Sequence, residues 1–220
     1  MKLRQLFLPI AICLSGTAIG QFGIGLQGGP LFFKGVFPEP SGALSHTSGF
    51  TAGFQFTEGL KGESGFRIGL DHVERAYRLY AQNINRMEDL TVRSSLLWFS
   101  AEMRWPISKR IGLFVEMGPV IGFEIKEQRS GESWDATVDQ YRADLLTIAD
   151  EVETGFAIRD ARWRMGFSLD TPIGGNWLVT TGVHVCPGIG NWARGNNYAT
   201  LDGQLRAGLM RRFGNNRKHG

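Results

Sequence analysis

Arginine, aspartate and glutamate recur at alternate positions in segments whose other residues are apolar. An isolated charge in a low-dielectric interior is very costly, so charges that share one interior are expected to pair with opposite charges. Six basic and six acidic residues occupy such positions, and their equal numbers predict one interior polar network: Arg67, Asp71, Glu102, Arg104, Glu116, Glu124, Arg162, Arg164, Asp170, Asp202, Arg206 and Arg212.

Hydrolytic or metal chemistry would need histidine, serine or cysteine in a defined set. The chain has four histidines: His46, His72, His184 and His219. A Ser/His/carboxylate hydrolase needs a serine and an acid beside one of them. Ser100 and Ser168 share the polar positions, but no spacing marks them as a set with His184. The sequence has no Cys/His metal spacing, no phosphate-binding loop and no G-x-S-x-G, so we predict no catalytic residue, no metal site and no cofactor.

The elements that must position the charged residues are strands, because apolar and polar residues alternate in eight segments and successive strand side chains face opposite sides. In segment 97–105, for example, odd positions are apolar and even positions carry Trp98, Ser100, Glu102 and Arg104. The longer segments match the roughly 9–11 residues with which a tilted strand crosses a membrane. The eight predicted strands cover residues 22–27, 50–56, 66–71, 97–105, 113–124, 161–170, 177–186 and 201–213.

The connections between these strands alternate in length, as in outer-membrane barrels with short periplasmic turns. Short turns are predicted at 57–64, 106–110 and 171–175, and long loops at 34–47, 73–89, 126–154 and 187–197. We therefore predict an all-β fold, an eight-stranded antiparallel up-and-down transmembrane β-barrel with both termini periplasmic. In the third long loop, Tyr141, Leu145, Ile148 and Val152 recur at helical spacing, which predicts a short amphipathic helix over 138–152.

Aromatic residues lie on the apolar faces near the short turns, which is typical of an interfacial girdle. The predicted girdle consists of Phe22, Phe56, Phe66, Trp105, Phe167, Trp177 and Phe213. The alternative is a soluble barrel of the lipocalin kind with its apolar face inward. Against it, glycine is frequent on the polar faces, where it weakens a solvated strand but makes room in a narrow interior. Those faces also lack lysine, and arginine suits close, multiply bonded ion pairs better.

The first twenty residues are typical of an export signal, with Lys2 and Arg4 before the apolar run 6–14 and small residues before Gln21. The predicted organisation is a signal peptide at 1–20, a barrel domain at 21–213 and a short polar tail at 214–220. Cleavage would leave Cys186 as the single cysteine, which excludes an intramolecular disulfide. Without Lys2 and Arg4, the 24 basic residues fall to 22 against 21 acidic ones, which does not indicate nucleic acid as a partner.

Four segments resemble the small outer-membrane β-barrel proteins of the PorT-like family: QFGIGLQGG at 21–29, SLLWFSAEMR at 95–104, LFVEMGPVIG at 113–122 and LRAGLMRRF at 205–213. The resemblance covers nearly all of the chain after residue 20. It implies an outer-membrane location in the Gram-negative envelope, and some relatives assist a protein-secretion apparatus. One departure is that Phe213, the terminal aromatic that such barrels offer to the insertion machinery, is followed by a further seven residues.

The sequence favours a non-enzymatic integral outer-membrane protein, either structural or accessory to an envelope or secretion assembly. Its expected contacts are outer-membrane lipid and an envelope protein bound through the long loops. The aromatic residues of the loops either anchor such a partner, pack the loops themselves or lie at the outer membrane interface: Trp134, Tyr141, Trp192 and Tyr198. A narrow porin-like channel for ions or small solutes, lined by the same charges, is the alternative, and a lipid-modifying enzyme is a third hypothesis.

Overall fold

A computed structural model describes residues 21–36, 42–45, 47–60, 63–82, 86–135, 146–188 and 199–214. The predicted signal peptide and most of the polar tail lie outside these residues. The described residues contain no helix, so none that is long and apolar enough to span a membrane. They form nine strands: β1 (Phe22–Val36), β2 (Gly42–Ser45), β3 (Thr47–Glu58), β4 (Gly65–Gln82), β5 (Arg86–Ser108), β6 (Leu113–Asp135), β7 (Leu146–Gly174), β8 (Trp177–Pro187) and β9 (Ala199–Phe213).

Eight of these strands close into one antiparallel barrel, which confirms the predicted fold class. The order around the sheet is β3-β1-β9-β8-β7-β6-β5-β4, and β4 pairs with both β3 and β5. Closure between the first and last strands pairs Phe22 with Phe213 and Leu26 with Leu209. The ninth strand, β2, pairs with the outer part of β4, from Ser45 opposite Arg78. It therefore pairs with β4 above the part that pairs with β3, and it is not a ninth strand of the barrel.

The two ends of the barrel differ. The turn end carries the β3–β4, β5–β6 and β7–β8 connections, where Gly59, Gly112 and Gly175 adopt positive φ angles of 76°, 70° and 54°. Glycine adopts these left-handed conformations at low cost, which suits it to tight turns. The opposite end, here the loop end, carries the long connections. The three predicted short connections are therefore all at one end, although 106–108 and 171–174 belong to strands and two of the turns are shorter than predicted.

The polarity of the barrel is inverted relative to a soluble protein. Large apolar side chains on the outer surface are exposed, among them Phe54 at 63%, Leu26 at 59% and Val183 at 58%. Their polar neighbours along the same strands point inward, such as Gln55 at 2% and His184 at 1% exposed. An apolar outside with a polar inside is the pattern of a transmembrane barrel. It contradicts the lipocalin-like alternative, which requires the opposite arrangement.

The strands of the loop end are much longer than the sequence predicted. Residues 73–82 and 86–89 are strand, and the predicted 126–154 loop is strand over 126–135 and 146–154. The amphipathic helix predicted over 138–152 is wrong for 146–152, which lies in β7, and residues 138–145 are outside the described part. Residues 146–153 pair with 126–133 of β6. Backbone hydrogen bonds between the two segments keep both of them in strand conformation even where apolar and polar residues no longer alternate. The helix prediction failed because it relied on the side-chain pattern alone.

Candidate functional site

Twelve of the charged residues that the structure describes in the barrel interior form three clusters along its axis. Each cluster contains two arginines and two carboxylates, so each is neutral as a whole. They are named here by position: the lower cluster lies nearest the turn end, the upper cluster nearest the loop end, and the middle cluster between them. Pairing in this way removes the penalty that any one buried charge would carry alone.

The lower cluster consists of Arg67, Arg104, Glu116 and Asp170. Arg104 bridges the two acids, with Nε 2.6 Å from Glu116 Oε1 and Nη2 2.9 Å from Asp170 Oδ2. Arg67 Nη1 lies 2.8 Å from Glu116 Oε2, and its Nη2 lies 3.8 Å from Asp170 Oδ1. The guanidinium of Arg104 also stacks 4.0 Å from the centre of the Phe114 ring. Each arginine therefore contacts both acids. Lysine, with a single ammonium group on a flexible stem, would bridge two acids less well.

Hydroxyl and imidazole side chains also bond to the two acids of the lower cluster. Ser168 donates to Glu116 Oε1 at 2.6 Å, and His184 Nε2 lies 2.9 Å from Glu116 Oε2. Thr180 donates to Asp170 Oδ1 at 3.0 Å. Glu116 thus has four partners and is fully buried. A carboxylate with this many donors is fixed in position and has little capacity left for a ligand.

The middle cluster consists of Asp71, Glu102, Arg164 and Arg206. Arg164 Nη1 lies 2.7 Å from Glu102 Oε1, and its Nη2 lies 3.6 Å from Asp71 Oδ2. Arg206 reaches Glu102 Oε1 at 3.4 Å from the opposite wall. Gln27 completes the cluster because its amide donates to Asp71 at 2.6 Å while its carbonyl accepts from Arg206. Strands β1, β4, β5, β7 and β9 therefore meet across the lumen.

The upper cluster consists of Arg75, Asp160, Arg162 and Asp202. Arg162 again bridges two acids, with Nε 2.8 Å from Asp160 Oδ2 and Nη1 2.9 Å from Asp202 Oδ2. Arg75 approaches the same pair at 3.3 Å and 3.8 Å. The indole of Trp98 donates to Asp160 at 3.1 Å. The Trp98 ring also faces Arg162 and Arg164 at 5.4 and 5.7 Å, so it links the upper and middle clusters.

Ten of the twelve residues predicted for the interior network lie in these three clusters. Glu124 is also buried, at 5% exposed. Arg212 lies at the turn-end rim, where it donates to the Gly175 carbonyl at 3.0 Å. Two cluster members, Arg75 and Asp160, were missing from the prediction. The alternation of inward and outward side chains would have found both, because Asp160 and Arg75 are the first and second inward positions beyond the predicted ends of their strands.

Apolar layers close the interior around the charged clusters. Near the turn end, Leu60, Leu178 and Met210 pack together with at most 5% exposure. Toward the loop end, a second buried layer contains Leu31, Val73, Leu96, Trp98 and Val120. On β4, Val73 of this second layer lies between Asp71 of the middle cluster and Arg75 of the upper cluster, so the layer lies at the level of the upper cluster and not beyond it. Charged and apolar side chains together fill a barrel that is only wide enough for its own side chains. Within the described residues, the arrangement is that of a packed plug.

The geometry does not form a hydrolase site. Ser168 and His184 both bond to Glu116, on different oxygens, whereas a nucleophilic serine must bond to the histidine that deprotonates it. Both are also 1% exposed, out of reach of a substrate. On the outer wall, His72 Nε2 lies 2.8 Å from Ser95 Oγ. No carboxylate bonds the other ring nitrogen of His72 among the described residues, so the group that would orient such a base is not there.

Glu102, Glu116 and His184 come close enough together to hold a metal ion. Their ligand atoms lie within 4.8 Å of one another, and all three side chains are buried. The same carboxylates already bond to Arg67, Arg104 and Arg164. A divalent cation would be repelled by these guanidinium groups and would compete with them for the same oxygens. The donor set is therefore better suited to ion pairing than to metal binding.

The seven aromatics of the predicted girdle all lie on the outer surface at the turn end. Phe22 stacks on Phe56 and Phe213 with ring centres 5.7 and 5.4 Å apart, and Phe56 contacts Phe66 at 5.8 Å. These four rings form a continuous arc over β9, β1, β3 and β4. On the remaining strands, Trp105, Phe167 and Trp177 are 38, 55 and 42% exposed. The rings lie at the height along the barrel where an aromatic girdle at the membrane–water interface would lie.

Comparisons with known proteins report architecture only. No family model and no curated protein matches the chain. Among solved structures, the attachment invasion locus protein Ail of Yersinia pestis has a TM-score of 0.42 at 12% identity, over 89% of this chain and 100% of that one. Neisserial surface protein A gives 0.44 at 12%, over 88% and 99%. Outer membrane protein OprG of Pseudomonas aeruginosa gives 0.42 at 11%, over 91% and 99%. The PorT-like resemblance stays a prediction.

Proposed function

We propose that this chain is a non-enzymatic integral protein of the Gram-negative outer membrane, with a sealed polar interior and an interaction surface at its loop end. The observation that carries the proposal is the inverted polarity of the barrel. Exposed Ile, Leu, Phe and Val side chains in a continuous band are stable in acyl chains and would be an aggregation hazard in water. A barrel with an apolar band is the kind of β-structure that spans a bilayer, because closure leaves no unpaired edge in lipid.

The interior supports a sealed barrel over a narrow porin. A conducting path needs charged side chains that face water, whereas Arg67, Glu102, Arg104, Glu116 and Arg164 are each at most 1% exposed. Their charges are also compensated within each cluster, so no net field attracts one sign of ion. A permeating ion would have to break at least one arginine–carboxylate bridge in every cluster. We therefore favour the sealed barrel over the porin-like alternative.

Planar-bilayer recording of the refolded protein tests the sealed interior. The expected conductance is that of the bare membrane, because the three clusters and two apolar layers leave no water-filled path. The double variant Leu178→Ala/Met210→Ala removes most of the turn-end apolar layer and serves as a more demanding test. We expect it to stay closed as well, because the charged clusters still fill the barrel. Steady ion-selective conductance in the unmodified protein would favour the porin.

The loop end supports an accessory role. Strands β5, β6 and β7 have 23, 23 and 29 residues, whereas crossing a bilayer takes roughly 9–11. On β6, the outward side chains are apolar up to Phe123 and polar from Lys126 to Glu132. The paired segments 86–95, 126–135 and 146–153 therefore form a sheet that stands beyond the apolar band. A rigid sheet outside the membrane is a suitable surface for a protein partner.

One edge of this sheet is open in the part of the chain that the structure describes. Residues 146–161 of β7 pair with β6, but pairing of β7 with β8 begins only near Arg162. Open strand edges bind an extended segment of another chain through backbone hydrogen bonds. The proposed partner is thus an envelope protein that adds a strand at this edge. The implication from the PorT-like resemblance, an accessory in a secretion assembly, agrees with such a surface.

Site-specific photocrosslinking in intact cells tests the accessory role. A photoreactive residue at Ala149 or Glu151, on the open edge, should give one discrete higher-mass adduct with an envelope protein. The same residue at Asn176, in a turn at the opposite end, is the matched control and should not give that adduct. If the edge positions give no adduct, or the same adducts as Asn176, the accessory role is wrong and a purely structural role remains.

A further inference from the structure

The turn end carries a cluster of basic side chains that the sealed-barrel function does not use. Lys109 and Arg110 lie in the β5–β6 turn, and Arg211 and Arg212 end strand β9. These four residues are called the basic rim. None of them forms an ion pair with a described acid. Arg211 instead lies over the Phe213 ring at 5.4 Å, and Arg212 donates to a backbone carbonyl. These four positive charges therefore have no acidic partner among the described residues of the barrel mouth, where Lys109 and Arg110 lie across the barrel from strand β9.

A cavity of about 720 Å³ opens between the basic rim and the β7 end. Lys109, Arg110 and Arg212 contribute its cationic lining, and Pro172 and Leu178 contribute apolar walls. One acid, Asp170, also lines the cavity, but its carboxylate is already engaged by Arg104 and Thr180. The cavity therefore offers positive charge with adjoining apolar surface, which suits an anionic group attached to an apolar body.

The surroundings of the basic rim place it at a membrane surface. Ile111 lies in the β5–β6 turn, and Ile107 and Ile173 lie near the turn ends of β5 and β7; they are 56, 54 and 57% exposed. The girdle residues Trp105 and Trp177 lie two residues before Ile107 and four residues after Ile173. Apolar and aromatic side chains at this level enter the headgroup boundary, and basic side chains next to them meet lipid phosphates.

We infer that the basic rim is a binding site for the phosphate headgroup of an anionic phospholipid in the leaflet at the turn end. The inference rests on the proposed membrane location and adds a lipid preference to it. Charge complementarity favours an anionic lipid over a zwitterionic one. A zwitterionic headgroup already carries a cation next to its phosphate, so it gains less from the four basic side chains of the rim. The apolar walls of the cavity and the exposed isoleucines favour a lipid over a free phosphate ion. Besides Asp170, the acids described near this end include Glu58, at the end of β3, and Glu63, in the β3–β4 turn, and both lie outside the rim.

Tryptophan quenching by brominated lipid tests the inference directly. Trp134, Trp163 and Trp192 are replaced by phenylalanine, which leaves Trp105 and Trp177 as the reporters at the turn end and Trp98 inside the barrel. The protein is refolded into phosphatidylcholine vesicles that contain either brominated phosphatidylglycerol or brominated phosphatidylcholine in equal amounts. We expect enrichment of the anionic lipid near the reporters by at least about fivefold, which corresponds to a preference of about 1 kcal/mol in total.

The triple variant Lys109→Gln/Arg110→Gln/Arg211→Gln should reduce the enrichment to below about twofold, as should salt at 1 M, where the Debye length is about 3 Å. The matched control Arg78→Gln/Arg93→Gln/Lys126→Gln removes the same charge at the loop end and should leave the enrichment unchanged. Equal quenching by the two lipids in the unmodified rim overturns the inference, and so does equal enrichment in both triple variants. Poly-glutamate bound through the rim in place of the lipid would assign the site to an acidic polypeptide and also overturn it. Absence of quenching by either lipid would instead contradict the membrane location itself.

Discussion

At the residue scale, the interior depends on arginine as a bridge between two acids. Arg104 and Arg162 each hold two carboxylates at 2.6–2.9 Å through different nitrogens. The planar guanidinium makes this geometry available, which explains the absence of lysine from these positions. The sequence predicted ten of the twelve cluster members from their alternation. It could not predict the pairing, because partners such as Glu102 and Arg206 are far apart in the chain and meet only after closure.

Substitution of Glu116 tests the lower cluster. Glu116→Gln keeps the shape and removes the charge shared by Arg67 and Arg104, which leaves one acid for two buried arginines. We expect the free energy of unfolding to fall by about 3–5 kcal/mol, the usual cost of breaking a buried ion pair on one side. Urea unfolding from lipid vesicles measures it.

Arg212→Gln is the control for this substitution. It removes one charge at the exposed rim, where the side chain has no acidic partner, and should change the free energy of unfolding by less than about 0.5 kcal/mol. Equal stability of Glu116→Gln and the unmodified protein would show that the cluster contributes nothing to the closed barrel.

At the element scale, alternation located all eight barrel strands but not their outer ends. Alternation arises from one face in lipid and one face in the lumen, so it disappears beyond the apolar band although the strands continue. Segments 126–135 and 146–153 were therefore predicted as loop or helix. Arg75 in β4 and Asp160 in β7 were missed because the predicted strands ended before these residues. The prediction that inward glycines make room for large neighbours agrees with the structure at Gly122. A Cβ there would lie 2.7 Å from Asp160 Cβ and 2.9 Å from Trp98 Cδ1.

Gly122→Ala tests this use of glycine in β6. The added methyl must displace Trp98 or Asp160 and so disturbs the upper cluster, with an expected loss of about 1–3 kcal/mol in the free energy of unfolding. Gly203→Ala in β9 is the matched control, because the nearest atoms to its added Cβ would be in Phe32 at 4.0 Å. The two variants are compared in the same urea series, and equal stability would mean that the interior is loosely packed.

At the scale of the whole molecule, the alternation of apolar and polar residues in eight strands accounts for both the polar interior and the apolar exterior. The pattern predicted the closed barrel, the turn-end girdle and the inward charges. It could not show whether the lumen is open, because the same charges would line a pore or fill a plug. That distinction depends on side-chain packing across the lumen, and the buried clusters and their two apolar layers favour the plug.

The most direct measurement of this account is the environment of the outward side chains in a bilayer. With Cys186 replaced by serine, single cysteines at Leu26, Phe54, Ile121 and Val183 carry a nitroxide label in refolded proteoliposomes. The account predicts that collisions with oxygen, which is enriched in acyl chains, exceed collisions with a water-soluble nickel chelate at all four positions. A label at Asn176 should show the reverse. Preferential collision of the four outward labels with the nickel chelate would contradict the membrane-spanning barrel.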